Sequence, residues 1–109
     1  MEKPAHLEIL QQGAEFWNRW RENNPEIEPN PRNLSYRRKN LIGINLSNTN
    51  LRDSDVTGRK FVSANIQEAD FLNAHLTNAH FTRANLCSAF LVFAVIIWAS
   101  LSKANLWKV

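Results

Sequence analysis

Cysteine is nearly absent from this chain, with one residue in 109. That excludes a disulfide framework and any multi-thiolate zinc site, and it points to a reducing, cytoplasmic setting. Glycine is scarce as well: Gly13, Gly43 and Gly58 are the only three. They never cluster, so no phosphate-cradling loop can be built from them. Four prolines are too few for a loop-rich scaffold. Neither sign of charge dominates, since 13 basic residues face 10 acidic ones for a net +3. Residues Met1 to Leu10 lack a basic start followed by an apolar core, so no secretory signal is expected. The length suffices for one domain and excludes separate substrate and cofactor lobes. An apolar share of 44% is nevertheless ordinary for a globular protein, so something regular must fill the chain.

What fills it is a repeat. From Leu34 onward a large apolar residue returns every fifth position, at Tyr36, Leu41, Leu46, Leu51, Val56, Phe61, Ile66, Phe71, Leu76, Phe81, Leu86, Leu91, Ile96, Leu101 and Leu106. With 44% apolar residues overall, fifteen in succession would arise by chance about five times in a million, so the period has to be explained before any helix or strand is assigned. Two positions earlier stands alanine in the last nine units, from Ala64 to Ala104. Five is the period of neither a helix nor a straight strand, whereas a spacing of two puts both residues on one strand face. The unit therefore reads as a short side with two inward residues, followed by a corner. Successive coils would pair at about 4.8 Å and bury their side chains only by stacking on one another.

Units such as Ala64-Asn65-Ile66-Gln67-Glu68, Ala69-Asp70-Phe71-Leu72-Asn73, Ala84-Asn85-Leu86-Cys87-Ser88 and Ala104-Asn105-Leu106-Trp107-Lys108 resemble the pentapeptide-repeat proteins. The resemblance implies a mainly β fold, a right-handed quadrilateral β-helix with four units per coil, preceded here by one α-helix. Residues 34–109 would form the β-helix and residues 1–33 a cap. The rod would be short, about 18 Å at the usual strand spacing. Early units depart from the pattern, with Leu34, Lys39, Ile44, Thr49, Ser54 and Arg59 at the small inward position. A buried Lys or Arg is costly without a partner, so irregular coils are expected there. His75, His80, Phe90 and Val95 replace the Asp or Asn, which removes any side-chain hydrogen bond that position supplies.

Residues 5–22 read as a helix, with Leu7, Leu10, Ala14 and Trp17 at spacings of three and four and Phe16 and Trp20 on its flank. Pro25 to Pro31 reads as a stiff extended connector. The helix is expected to cover the first coil, whose bare edge would otherwise pair with other chains.

Residues 89–99 are apolar without a break. Even stretched from Leu86 to Leu101 the segment has sixteen residues, short of the roughly 20 that span a bilayer as a helix. The five-residue register also runs straight through it. Phe90, Val92, Phe93, Val95, Ile97 and Trp98 would then point outward on the final coil, with Leu72 one coil below Val92 and Trp107 nearby. Roughly 400 to 600 Å² of apolar surface would face water, more than monomers usually leave bare. A second copy of the chain, another protein, the chain's own N-terminal helix, or a membrane surface could cover it. An uncapped final coil favours the second copy, and the family resemblance implies the same, since dimers joined through C-terminal coils are familiar there. The sequence could also be a piece of a longer rod.

Chemistry is sparse. His6, His75, His80 and Cys87 form no known catalytic signature, and no cofactor or metal is expected. His75 and His80 fall on neighbouring units without a third ligand, and no cation stands beside Cys87 in its unit to activate the thiol. Some pentapeptide-repeat proteins mimic DNA through a strongly negative rod, but here Leu41 to Val109 carries six basic residues against four acidic ones, a net +2. Arg37-Arg38-Lys39 is a single short basic run and the other charges alternate in sign, so nucleic-acid binding is not expected either. The sequence thus points to a non-enzymatic protein-protein interaction or assembly module, a homodimer through its C-terminal coil, with a membrane anchor as the alternative.

Overall fold

The computed structural model describes residues 2–35 and 40–109, and side chains from His6 onward. Tyr36, the Arg37-Arg38-Lys39 run and the expected inward Lys39 lie outside the described residues.

Backbone pairing follows a period of twenty. Parallel bridges join Ser35 to Asp55, Asp55 to His75 and His75 to Val95, and the same step recurs through Asn85 to Asn105. Twenty is four units, so each coil is a quadrilateral. A unit bonds both ways along the rod: the Phe61 amide donates to the His80 carbonyl (2.6 Å), the Ser63 amide to Thr82 (2.9 Å), and the Asn65 amide back to Ile44 (2.9 Å). The corner is equally regular. Among the described residues every fifth position from Asn33 to Lys108 has φ between 54° and 70°, the left-handed residue a type II turn requires at its third place. Behind it the turn closes, as where the Ala64 amide donates to the Phe61 carbonyl at 3.0 Å.

The Asn or Asp of each unit has a specific task. Asn45, Asn50, Asp55, Asn65, Asp70, Asn85 and Asn105 each accept, through Oδ1, the amide two residues on. This local bond steers the chain into the corner. No such bond is available at His75, His80, Phe90 or Val95, yet rung-to-rung pairing continues through all four.

Inside the rod the large residues stack in columns. Phe61 and Phe81 lie parallel, with ring centroids 5.1 Å apart and planes 5° from each other. Ala64, Ala69, Ala74, Ala79, Ala84 and Ala89 are buried beside them. The early coils are not irregular as expected among the described residues. Leu34, Ile44, Thr49 and Ser54 are all buried at the inward position, with the Ser54 hydroxyl accepting the Leu34 amide at 3.1 Å. Arg59 is the exception to inward placement: its guanidinium turns out to the Thr57 carbonyl, so the cost of burying the charge is not incurred.

The ladder also begins one unit earlier than the sequence pattern indicates. The Asn50 amide donates to the Pro29 carbonyl and the Asn33 amide to Arg52, and Pro29 and Pro31 are buried at the two inward positions. The extended stretch expected as a connector is therefore a rung with proline in place of alanine and leucine.

The expected single helix is two: α1 (Glu2–Gln11) and α2 (Ala14–Asn23). Gly13 separates them at φ 109°, a conformation that L side chains rarely adopt, so one helix cannot pass through it. Trp17 is fully buried, and its indole N–H donates to the Asn45 carbonyl at 2.6 Å. Asn18 binds the same rung reciprocally, donating to the Gly43 carbonyl and accepting the Asn45 amide. Arg21 adds Asn45, Ser47 and Thr49. Trp17-Asn18 and Arg21 thus satisfy backbone that the first coil would otherwise expose.

Phe81→Ala should cost about 3 to 5 kcal/mol, because it leaves a hole over Phe61 that a stacked rod cannot close; denaturant unfolding of the two proteins checks this. A second expectation concerns acid. The Thr57 hydroxyl and amide both donate to Asp55, at 2.8 and 3.1 Å, and hold its carboxyl below the usual range, with smaller help from His75 and Arg59. A depressed folded pKa gives stability that is present above the unfolded value and lost as pH falls through the folded one. Between about pH 5 and about pH 2, wild type should therefore lose unfolding midpoint relative to Asp55→Asn, modestly because the group is exposed.

Candidate functional site

The quadrilateral coil sorts outward residues into columns. One side stacks Asn30, Asn50, Asp70 and Phe90, and the next stacks Ser35, Asp55, His75 and Val95. Corners between sides carry the two residues after each large apolar one. Going up the rod, both sides and the corners beside them turn from polar to apolar at the last coil: Asn50 and Asp70 give way to Phe90, Asp55 and His75 to Val95.

On that last coil Phe90 is 57% exposed, Val92 53%, Ile97 60%, Trp107 64%, Phe93 79% and Trp98 81%. Val95 and Leu72 are only half-exposed, so they form the floor of the surface rather than its crest. The sequence-derived residues therefore come together as an apolar collar. It runs from the Trp107 corner over Phe90, past Val92 and Phe93, across Val95, to Ile97 and Trp98. Ser100, Ser102, Lys103 and Asn105 interrupt it on the remaining circumference. Lys108 lies over the Trp107 ring, 4.5 Å from its centroid.

Two features escaped the sequence pattern. The inward residues of the final coil are uncovered, with Ile96 43%, Leu101 37% and Leu106 43% exposed, because none of the described residues forms a rung over them. Periodicity assigns them to the interior; only the stacking shows that the interior is open at this end. The second feature is backbone. Phe93 and Trp98 occupy the left-handed corner position, with φ 59° and 63°. Gly43, Asn48, Asp53, Gly58, Ser63, Glu68, Asn73, Asn78, Arg83 and Ser88 hold it in the coils below. Left-handed backbone costs an L residue about 1 to 2 kcal/mol, least for Gly and Asn. Two bulky aromatics at consecutive corners carry that cost while also facing water.

The N-terminal helices do not cover the collar. Trp17, Asn18 and Arg21 bind residues 43–49, at the opposite end of the rod. Among the described residues no helix is long and apolar enough to cross a membrane. Below the collar, Asp53, Asn73, His75, Phe93 and Val95 line an open groove of about 390 Å³. His75 and His80 are exposed, stacked over Asp55 and Lys60 respectively. Cys87 is half-buried, its Sγ 3.8 Å from the Ser88 hydroxyl. Among the described residues no three His, Cys, Asp or Glu side chains are placed to hold a metal ion.

Comparison with known proteins agrees with this geometry. Residues 64–102 match the family model described as pentapeptide repeats, in eight copies. That stretch begins where alanine first takes the inward position, so the match follows the regular units and leaves out the earlier ones. Among solved structures, the chain is similar to the pentapeptide-repeat protein Rfr23 from the cyanobacterium Cyanothece 51142, at 26% identity over 72% of this chain and 56% of that one, with a TM-score of 0.48. It is also similar to HetL, a pentapeptide-repeat protein involved in heterocyst differentiation regulation from the cyanobacterium Nostoc sp. strain PCC 7120, at 29% identity over 62% of this chain and 36% of that one, with a TM-score of 0.36. The chain therefore spans little over half of the first structure's length and about a third of the second's. No curated protein matches it. With five-residue units closing four to a coil, this chain is a right-handed quadrilateral β-helix, and its residues 64–102 match the pentapeptide-repeat family.

Proposed function

We propose that this chain is a non-enzymatic interaction and assembly module of a reducing, cytoplasmic setting, and that it self-associates as a two-fold dimer through the collar of its last coil. The observation that carries this reading is the pair Phe93 and Trp98, each about four-fifths exposed and each at a left-handed corner. Strained backbone that displays a hydrophobic side chain is retained where the display is used. Covering the collar with a second copy would remove roughly 400 to 600 Å² of apolar surface per chain from water, worth about 10 to 15 kcal/mol before association costs. An isologous contact also uses the same patch twice, so one surface explains both halves of the interface.

One observation favours a second reading, a membrane-surface anchor. No Asp or Glu follows Asp70, while Lys103 and Lys108 flank the aromatic collar. Basic residues beside exposed Trp and Phe suit an anionic lipid surface. Co-flotation with anionic vesicles separates the two readings, because an anchor floats with lipid and a dimer does not.

Light scattering at micromolar concentration should give a dimer mass for wild type and a monomer mass for Phe93→Glu and Trp98→Glu; a monomeric wild type would remove the self-association reading. Phe93→Asn and Trp98→Asn should each raise the intrinsic stability of the monomer, by about 1 kcal/mol, since Asn tolerates the left-handed corner. Denaturant titration at concentrations below dimer formation checks the sign.

A further inference from the structure

Charges that alternate along the chain do not alternate around the rod. All four acidic residues of the β-helix, Asp53, Asp55, Glu68 and Asp70, fall on the side carrying Asp70, its two corners, or the side carrying Asp55. Two of them are already neutralised there, Asp53 by Arg32 at 3.4 Å and Asp70 by Arg52 at 2.6 Å. The side opposite Asp70 is different. Its column runs Lys60, His80, Ser100, bridged rung to rung, and the adjoining corner carries Thr82-Arg83 below Ser102-Lys103. Lys60, His80, Arg83 and Lys103 are exposed, and none of the three cations has a salt bridge among the described residues. No acidic residue stands on this side or its corner, and between the cations the outward side chains are mostly hydroxyls.

We propose that this strip binds the phosphate backbone of a nucleic-acid duplex, independently of sequence. Cations interleaved with Ser and Thr hydroxyls are the groups that contact phosphate oxygens. Three rungs at about 4.8 Å place the outermost cations roughly 10 Å apart, over which one strand of a duplex presents about three phosphates. The strip has three fixed cations to meet them. Its one aromatic ring is the His80 imidazole, and a single ring is no platform for successive unpaired bases, which favours a duplex over a single strand. A flat side of the rod presents no helix or two-stranded ribbon to enter the major groove, so discrimination between sequences is not expected. This inference uses a different side of the rod from the collar and stands apart from the self-association reading.

Fluorescence anisotropy with a labelled duplex of about 20 base pairs tests it. Raising salt from about 50 to about 200 mM should weaken wild-type binding roughly 40-fold, the change expected for three neutralised phosphates. The combined variant Lys60→Gln, Arg83→Gln, Lys103→Gln should bind at least tenfold more weakly at the lower salt. Lys108→Gln, on another corner, should stay within twofold. Circular dichroism melting confirms that each variant is folded, and the wild-type salt slope stands independently of any variant. Absence of binding at the lower salt would overturn the proposal. So would a salt-insensitive affinity, an equal loss in Lys108→Gln, or capture of anionic vesicles without capture of the duplex.

Discussion

The structure depends on one constraint: every fifth residue must turn the chain through a left-handed corner so that the next short side lands over the side twenty residues earlier. Only then do the amides of one rung meet the carbonyls of another, as Phe61 meets His80 and Asn65 meets Ile44. The hydrophobic stacking is a consequence. A single coil of this chain could not shield Phe71 or Leu76 from water, whereas between two neighbours both are fully buried. Stability is therefore a sum of nearest-neighbour interfaces, and the two ends, where one neighbour is missing, are the places that must be treated specially.

The ends are treated in opposite ways. At the first coil, α2 supplies donors and acceptors to Gly43 and Asn45, buries Trp17 against the rung and fixes Arg21 over Ser47 and Thr49. At the last coil nothing comparable is present among the described residues. The interior positions Ile96, Leu101 and Leu106 are partly open, and the outward positions are apolar instead of polar. The same rung also bears the two aromatics at left-handed corners. The outward side chains thus depart from the pattern at one level of the rod, with bulky aromatics at two corners, which is why the functional reading centres there.

Much of the rod was legible in the sequence because a five-residue period with alanine two places before the apolar residue has few physical solutions. The collar was legible for the same reason: once Leu91 and Ile96 are assigned inward, Phe90, Val92, Phe93, Ile97 and Trp98 have nowhere to go but out. Where the pattern misled, a side chain met a local rule that periodicity does not carry. Pro29 and Pro31 fit the inward positions of a rung although proline reads as a connector. Gly13 breaks a helix whose apolar spacing runs through it. Arg59 escapes burial by turning to Thr57. Charge sorting was hidden because its period is the coil of twenty, so Asp70 and Lys60 look like neighbours in sequence and lie on opposite sides of the rod.

The central claim is the twenty-residue stacking, and amide hydrogen exchange followed by nuclear magnetic resonance tests it most directly. The stacking predicts that the amides of Phe61, Ser63, Asn65, Phe71 and Phe81 exchange slowly and with one common opening free energy, while those of Leu91, Ile96 and Leu101 exchange rapidly in the monomer. Protection following a period of three to four residues through this region, or no protection at Phe61 and Phe71, would contradict it.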